Sequence, residues 1–182
     1  MQARAPSVVV VSALLALASC ADSGSTVATF DVTTPAFAEG DTIPERHTCD
    51  GDGLSVPLLV SGGPKEAASL AVIAEDPDAP GGTVLHWLLW NVPPDMALIP
   101  EGLARTGNPR DGLTQGTAAD DGLGYFPPCP PEGEEHRYFF RVYALDAKLD
   151  LKAGADRDAL GSAMKSHIVG KGSVMGRYKR LE

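Results

Sequence analysis

Basic residues are scarce in this 182-residue chain: 15 lysines and arginines stand against 24 aspartates and glutamates, a formal net charge of −9. That deficit argues against sequence-independent nucleic-acid binding, which needs a basic face, and against electrostatic attraction to anionic lipid. Long hydrophobic runs are missing too. The stretch Val8–Ala18, apolar except for Ser12, is too short for a membrane span, and no other segment comes closer. There is no internal repeat and no like-charge run long enough to form a tail. Cysteine is limited to three residues, none with a C-x-x-C or C-x-H neighbour that would suggest a structural metal. H-x-x-x-H, H-x-E and the G-x-S-x-G elbow are all absent, which weighs against a metal-dependent or serine hydrolase.

What is present fits one globular domain. The composition is 43% hydrophobic and 21% charged, and the length serves a single full core better than two. The 20 glycines and 15 prolines are dispersed and act as turn punctuation. Arg4 followed by the short apolar run has the form of an export signal. It ends in Leu17-Ala18-Ser19-Cys20, which looks like a bacterial lipobox with Cys20 as the lipidated residue. The alternative is an ordinary signal peptide cleaved near Ala21. The expected organisation is a lipoprotein signal peptide over 1–19, a polar tether over 20–29 and one domain over 30–182, exported and lipid-anchored to the bacterial cell membrane. Loss of Arg4 takes the net charge from −9 to −10. Cys49 and Cys129 are then an even pair in an oxidising compartment, so a disulfide and two free thiols both remain open.

The domain reads as mostly strand. Leu70–Ala74 is a short apolar run with the character of a buried strand. LHWLLWNV over Leu85–Val92 is apolar on both alternating faces and predicts a central strand covered on both sides. YFFRVYAL over Tyr138–Leu145 is rich in aromatic and β-branched residues. Phe30–Phe37 is a weaker candidate, interrupted by Pro35. Asp156 can cap a helix with Leu160, Ala163, Met164, His167 and Ile168 on one face, stopped by Gly170 and Gly172, after which Val174–Tyr178 returns as an edge strand. Connections are too short for repeated βαβ crossovers.

Three segments at strand–loop junctions carry chemistry. In Asp76-Pro77-Asp78-Ala79-Pro80-Gly81-Gly82 two carboxylates flank a proline directly after a buried strand; a plain turn has the same composition. His86-Trp87 opens the second strand, where a lone histidine is most often a hydrogen-bonded core residue. Gly122–Pro131 (GLGYFPPCPP) leads into Glu135-His136-Arg137-Tyr138. His136 and Tyr138 leave one strand face together, and Gly122 and Gly124 allow exposed amides that form an anion nest.

The order DPDAP, then HW, then a Gly/Pro-rich loop ending in HRY resembles the phosphatidylethanolamine-binding protein family, and within it the bacterial Raf-kinase-inhibitor-like branch. Thr48-Cys49-Asp50-Gly51, Asn91-Val92-Pro93 and Tyr143-Ala144-Leu145-Asp146 add to the resemblance, which runs from about Phe37 to Tyr178. The resemblance implies a mainly β fold, with a large central antiparallel sheet packed on a smaller sheet and a short helix near the C-terminus. It also implies a small anion pocket at Asp76, His86, His136 and Tyr138, rimmed by the proline-rich loop; Asp78, Gly124 and Pro128 complete the candidate ligand-binding set. Two departures stand out. Ser55-Val56-Pro57-Leu58 replaces the family's Ser-Pro-Pro-Leu, and Phe126-Pro127 replaces two small residues where relatives have Gly-Tyr-Gly-Gly-Pro, which narrows the mouth.

The implied activity is non-enzymatic binding of a phosphate-bearing small molecule or phospholipid head group, without cofactor or metal. Asp76 is expected to accept a hydrogen bond from an imidazole, while protonated histidines, Tyr138 and loop amides donate to phosphate. Asp78 is expected to face a ligand amine, and Arg137 to pair with an acid on the opposite face. Two alternatives stand beside this one: an inhibitor or docking partner of a protease or other envelope protein, with Pro127–Pro131 as its edge, and a hydrolase using Asp76, Asp78, His86, Glu135 and His136.

Overall fold

The computed structural model describes residues 2, 27–110 and 112–181; the rest of the leader, Cys20 and most of the tether lie outside them. Within that span the chain runs β1 (Ala28–Thr29), β2 (Asp31–Thr33), a 3-10 turn (Glu45–His47), β3 (Leu58–Ser61), β4 (Ser69–Asp76), β5 (Val84–Val92), β6 (Leu98–Ile99), β7 (Thr114–Gln115), β8 (Glu135–Leu145), α1 (Arg157–Met164) and β9 (Ile168–Lys179). Six strands form the large sheet in the order β1-β9-β8-β4-β5-β7, and β2-β3-β6 form the small one. All pairings are antiparallel except β1 with β9. The expected mainly β architecture with two sheets and one late helix is what the chain adopts.

Alternation along the long strands divides the interior in two. Leu70, Val72 and Ala74 of β4, Trp87 and Leu89 of β5, and Tyr138, Phe140 and Val142 of β8 face the small sheet in one core. Ala71, Ile73, Leu88 and Trp90 face the other way, against Leu160 and Met164 of α1. A sheet covered on both faces needs strands apolar on both, as β4 and β5 are. Strand β5 is covered on both faces as expected, but it sits fifth of six in the order rather than at the centre.

Near the C-terminus the sequence expectation needs correction. Asp156 caps α1, its side chain accepting from the Ala159 amide at 2.8 Å. The helix ends at Met164, however, so His167 falls in a turn and Ile168 opens β9. Gly170 and Gly172 lie inside that twelve-residue strand, and β9 is not an edge: β1 and β8 flank it. The reason is steric. A Cβ at Gly172 would lie 2.4 Å from the Phe30 carbonyl, and one at Gly176 would lie 2.5 Å from Ile43, so these glycines let other segments pass directly over the strand. The Phe30–Phe37 candidate is a strand only over Asp31–Thr33.

Candidate binding site

The carboxyl end of β4 and the first residues of β5 and β8 meet at one end of the large sheet, on the face toward the small sheet. There Asp76, His86, His136 and Tyr138 surround a cavity of about 180 Å³, with Val84, Phe126, Pro130 and Pro131 among its apolar walls. All four polar residues are buried. His136 and Tyr138 reach it by simple alternation along β8. His86 reaches it through a register shift: Ala74 pairs with Trp87 but Glu75 with Leu85, leaving His86 as the extra residue of a β-bulge. A bulge re-aims a side chain. Here it turns His86 to the same side as Trp87, its ring in a T-shaped contact with that of Tyr138 (centroids 5.2 Å apart, 79°).

The two histidines are held in opposite ways. The Nδ1–H of His86 donates to the Phe126 carbonyl at 2.8 Å, the Phe126 amide donates back to the His86 carbonyl at 2.7 Å, and the two rings stack with centroids 5.2 Å apart. Burial lowers the His86 pKa despite that bond and the nearby Asp76 charge. Its Nε2 is buried without a hydrogen-bond partner, as is the Tyr138 hydroxyl. Burial and the charge of Asp76 raise the Tyr138 pKa, so the phenol stays protonated. At His136, burial pulls the pKa down but is outweighed, because Nδ1 donates to Asp76 Oδ2 at 2.8 Å and Nε2 donates to Glu134 Oε2 at 3.3 Å; the net shift is upward. The second oxygen of Asp76 accepts from the Asp78 amide at 2.8 Å, so both are engaged. Asp76 does accept from an imidazole, as the sequence suggested. Protonated ring nitrogens free to reach a ligand are not found: His86 is kept neutral and both nitrogens of His136 face carboxylates.

Three further expectations are corrected. Asp78 does not line the cavity. Its oxygens accept from Arg137 Nη2 at 2.7 Å and Arg137 Nε at 2.8 Å, and the guanidinium bonds hold its pKa down to about 2. The acid that Arg137 was expected to find is Asp78. Gly122 and Gly124 offer no anion nest, because their amides donate to Asp120 Oδ1 and to the Gly116 carbonyl. Gly124 is required instead by backbone and packing: its φ is +81°, and a Cβ would lie 2.8 Å from Gln115 Nε2. Pro128 stands behind the rim, accepting the Cys49 amide at 3.0 Å. Beside that contact Cys49 and Cys129 form a disulfide with Cα atoms 5.4 Å apart, which ties the Thr48–Gly51 turn to the rim. Asp50 in that turn accepts from the Tyr178 hydroxyl at 2.6 Å, which lowers its pKa.

Two residues with direct contacts escape a motif-based reading. In the sequence Phe126 reads only as narrowing the mouth, yet it clamps His86 by ring and backbone together. Glu134, which caps the imidazole of His136, is two residues before it; extending the β8 alternation backwards by one step would have flagged it. Of the hydrolase set, Glu135 turns to Arg177 at 3.3 Å and Asp78 to Arg137. Among the described residues no three His, Cys, Asp or Glu side chains gather as a metal-binding group. Grooves of about 430, 570 and 360 Å³ elsewhere on the surface are larger. Of these, the small cavity alone is lined by described residues that carry buried polar atoms without partners.

Comparison with known proteins agrees with this geometry. A model of the phosphatidylethanolamine-binding protein family matches residues 33–179. A UPF0098 protein of Methanothermobacter thermautotrophicus is 46% identical over 147 residues, covering 81% of this chain and 97% of that protein. Among solved structures, a chain from Chlamydia trachomatis described as a phosphatidylethanolamine-binding protein homologue, CT736, superposes with a TM-score of 0.76 at 38% identity, over 85% of this chain and 99% of that one. Escherichia coli YbcL, described as a member of the mammalian family, gives 0.76 at 28% identity, over 82% and 98%. The match over nearly all of the described domain, in sequence and in fold, places this chain in the phosphatidylethanolamine-binding protein family.

Proposed function

We propose that this domain captures a phosphate-bearing small molecule or phospholipid head group in the cavity at the end of the large sheet, and that it catalyses no reaction there. The observation that carries this reading is a pair of buried, unpartnered polar atoms, His86 Nε2 and Tyr138 Oη, belonging to two residues that line one cavity. Leaving each unsatisfied costs about 1–3 kcal/mol, and a bound polar group removes that cost. The neighbouring His136, its pKa raised, has one nitrogen on buried Asp76 and the other on Glu134, a half-exposed carboxylate that an anion can displace. The volume of about 180 Å³ suits a head group and not an acyl chain. Catalysis is disfavoured by the lack of a nucleophile: the cysteine on the wall, Cys129, is bonded to Cys49, and both oxygens of Asp76 are engaged.

Calorimetric titration of the domain with phosphate and with phosphoethanolamine, repeated on His86→Ala, tests this. Binding that the substitution abolishes supports the reading. No binding to either ligand overturns it and turns attention to protein docking along the Pro127–Pro131 rim. Anchoring through lipid on Cys20 belongs to the same proposal; a Cys20→Ala chain that stays in the membrane fraction would refute it.

A further inference from the structure

We propose that the cavity selects oxyanions that still carry a hydroxyl proton, such as hydrogen phosphate and phosphomonoester monoanions, over oxyanions that carry none, such as sulfate and phosphodiesters. The inference rests on the anion-binding reading above and specifies its ligand. It begins with the tautomer of His86. A carbonyl oxygen only accepts, so the 2.8 Å contact from Nδ1 to the Phe126 carbonyl requires the proton on Nδ1. In a neutral imidazole Nε2 is then a lone pair, able to accept and unable to donate.

Protonating Nε2 as well would place a second positive charge beside His136 in a buried site. The aromatic rings packed on His86 are those of Phe126 and Tyr138, neither of which supplies a counter-charge. The acid nearest the cavity, Asp76, is already committed to His136 and to the Asp78 amide. Asp120 attracts from a distance but is itself forked by Arg105. Burial prevails, and His86 stays neutral. The unmet hydrogen-bonding capacity of the cavity is therefore one obligatory acceptor, His86 Nε2, and one hydroxyl, Tyr138 Oη.

A ligand that satisfies both must donate once and accept once. Hydrogen phosphate does so, with its P–O–H directed at Nε2 and another oxygen accepting from Tyr138. Sulfate has the same shape and, at mildly alkaline pH, the same double charge, yet it has only lone pairs to set against Nε2. An acceptor facing an acceptor in a buried site is repulsive and leaves both unsatisfied. A phosphodiester meets the same obstacle at its phosphate.

The test is calorimetric titration of the domain at one mildly alkaline pH with inorganic phosphate, sodium sulfate and dimethyl phosphate, the last standing for a lipid diester. Phosphate is expected to bind at least tenfold more tightly than either. In His86→Gln, whose amide can rotate an N–H toward the ligand, the phosphate-to-sulfate ratio should fall toward one; should that variant not fold, the unaltered domain decides alone. Equal affinity for phosphate and sulfate overturns the proton rule while leaving an anion site in place. Dimethyl phosphate binding as well as phosphate overturns it in favour of the diester head group. Failure of all three to bind overturns the anion-binding reading itself.

Discussion

His86 and His136 stand on two strands of one sheet, open toward the same cavity, and are held in opposite states. His86 has one nitrogen bonded to a neutral carbonyl, the other bonded to nothing, and a pKa pushed down by burial. His136 is just as inaccessible, yet both nitrogens face carboxylates and its pKa rises. Burial alone therefore does not fix the charge of an imidazole; whether a committed carboxylate shares the site does. The outcome is one wall where an imidazole is bound between two carboxylates and one that carries an acceptor lone pair, which suits recognition of an anion by its proton.

The largest effect should come from erasing that difference. Asp76→Asn leaves the shape and removes the stronger of the two carboxylate partners that raise the His136 pKa. Breaking a buried pair from one side costs about 3 kcal/mol, so denaturant unfolding should show a loss of that order. The pH dependence gives the sign. A histidine whose folded pKa is raised adds stability that is complete below the unfolded value of 6.5 and is lost as pH rises through the folded value. One whose pKa is lowered costs stability as pH falls below 6.5. In the native chain these slopes oppose one another. In Asp76→Asn the His136 slope shrinks to what Glu134 alone sustains, so the deficit should be greatest at mildly acidic pH. A deficit that does not change with pH would mean that His136 is not held charged by Asp76.

How much of this was legible beforehand follows from the same residues. Strands β4, β5 and β8 announce themselves by apolar runs, and the shared face of His136 and Tyr138 follows from a period of two. The common side of His86 and Trp87 does not, because alternation puts neighbours on opposite faces and only the bulge opposite Ala74–Glu75 brings them together. Gly170 and Gly172 looked like a helix stop because local pattern carries no information about Phe30, which crosses over them. Asp78 looked like a ligand group because its partner, Arg137, lies 59 residues away. Phe126 appeared as an obstruction because its effect on His86 runs through a backbone carbonyl, which no side-chain motif displays.

A smaller effect should sharpen the contrast. The carboxylate of Glu134 sits at His136 Nε2 where a ligand oxygen would go, and its side chain is 55% exposed. An entering anion must displace it. Glu134→Ala should therefore raise phosphate affinity about two- to fivefold, the scale of an exposed ion pair of up to about 1 kcal/mol, and should leave the folded stability nearly unchanged. Weaker binding in the same titration would show that Glu134 helps to hold the ligand.

The smallest effect separates the acid that serves the cavity from the acid beside it. Asp78 lies two residues from Asp76, yet its carboxylate is forked by Arg137, with side chains 27% and 44% exposed. Solvent at both partners screens the pair and leaves it weak. Its depressed pKa places that contribution above 3.8, to be lost as pH falls through about 2. Asp78→Asn should thus cost little stability at neutral pH, and the backbone amide that orients Asp76 remains in place. Phosphoethanolamine affinity should stay within experimental error of the unaltered domain. A severalfold loss confined to phosphoethanolamine, with phosphate unaffected, would mean that the carboxylate leaves Arg137 to meet the ligand's amine; a loss shared by both ligands would mean instead that the fork sets the position of His136 through the backbone of Arg137, whose amide also donates to Asp78.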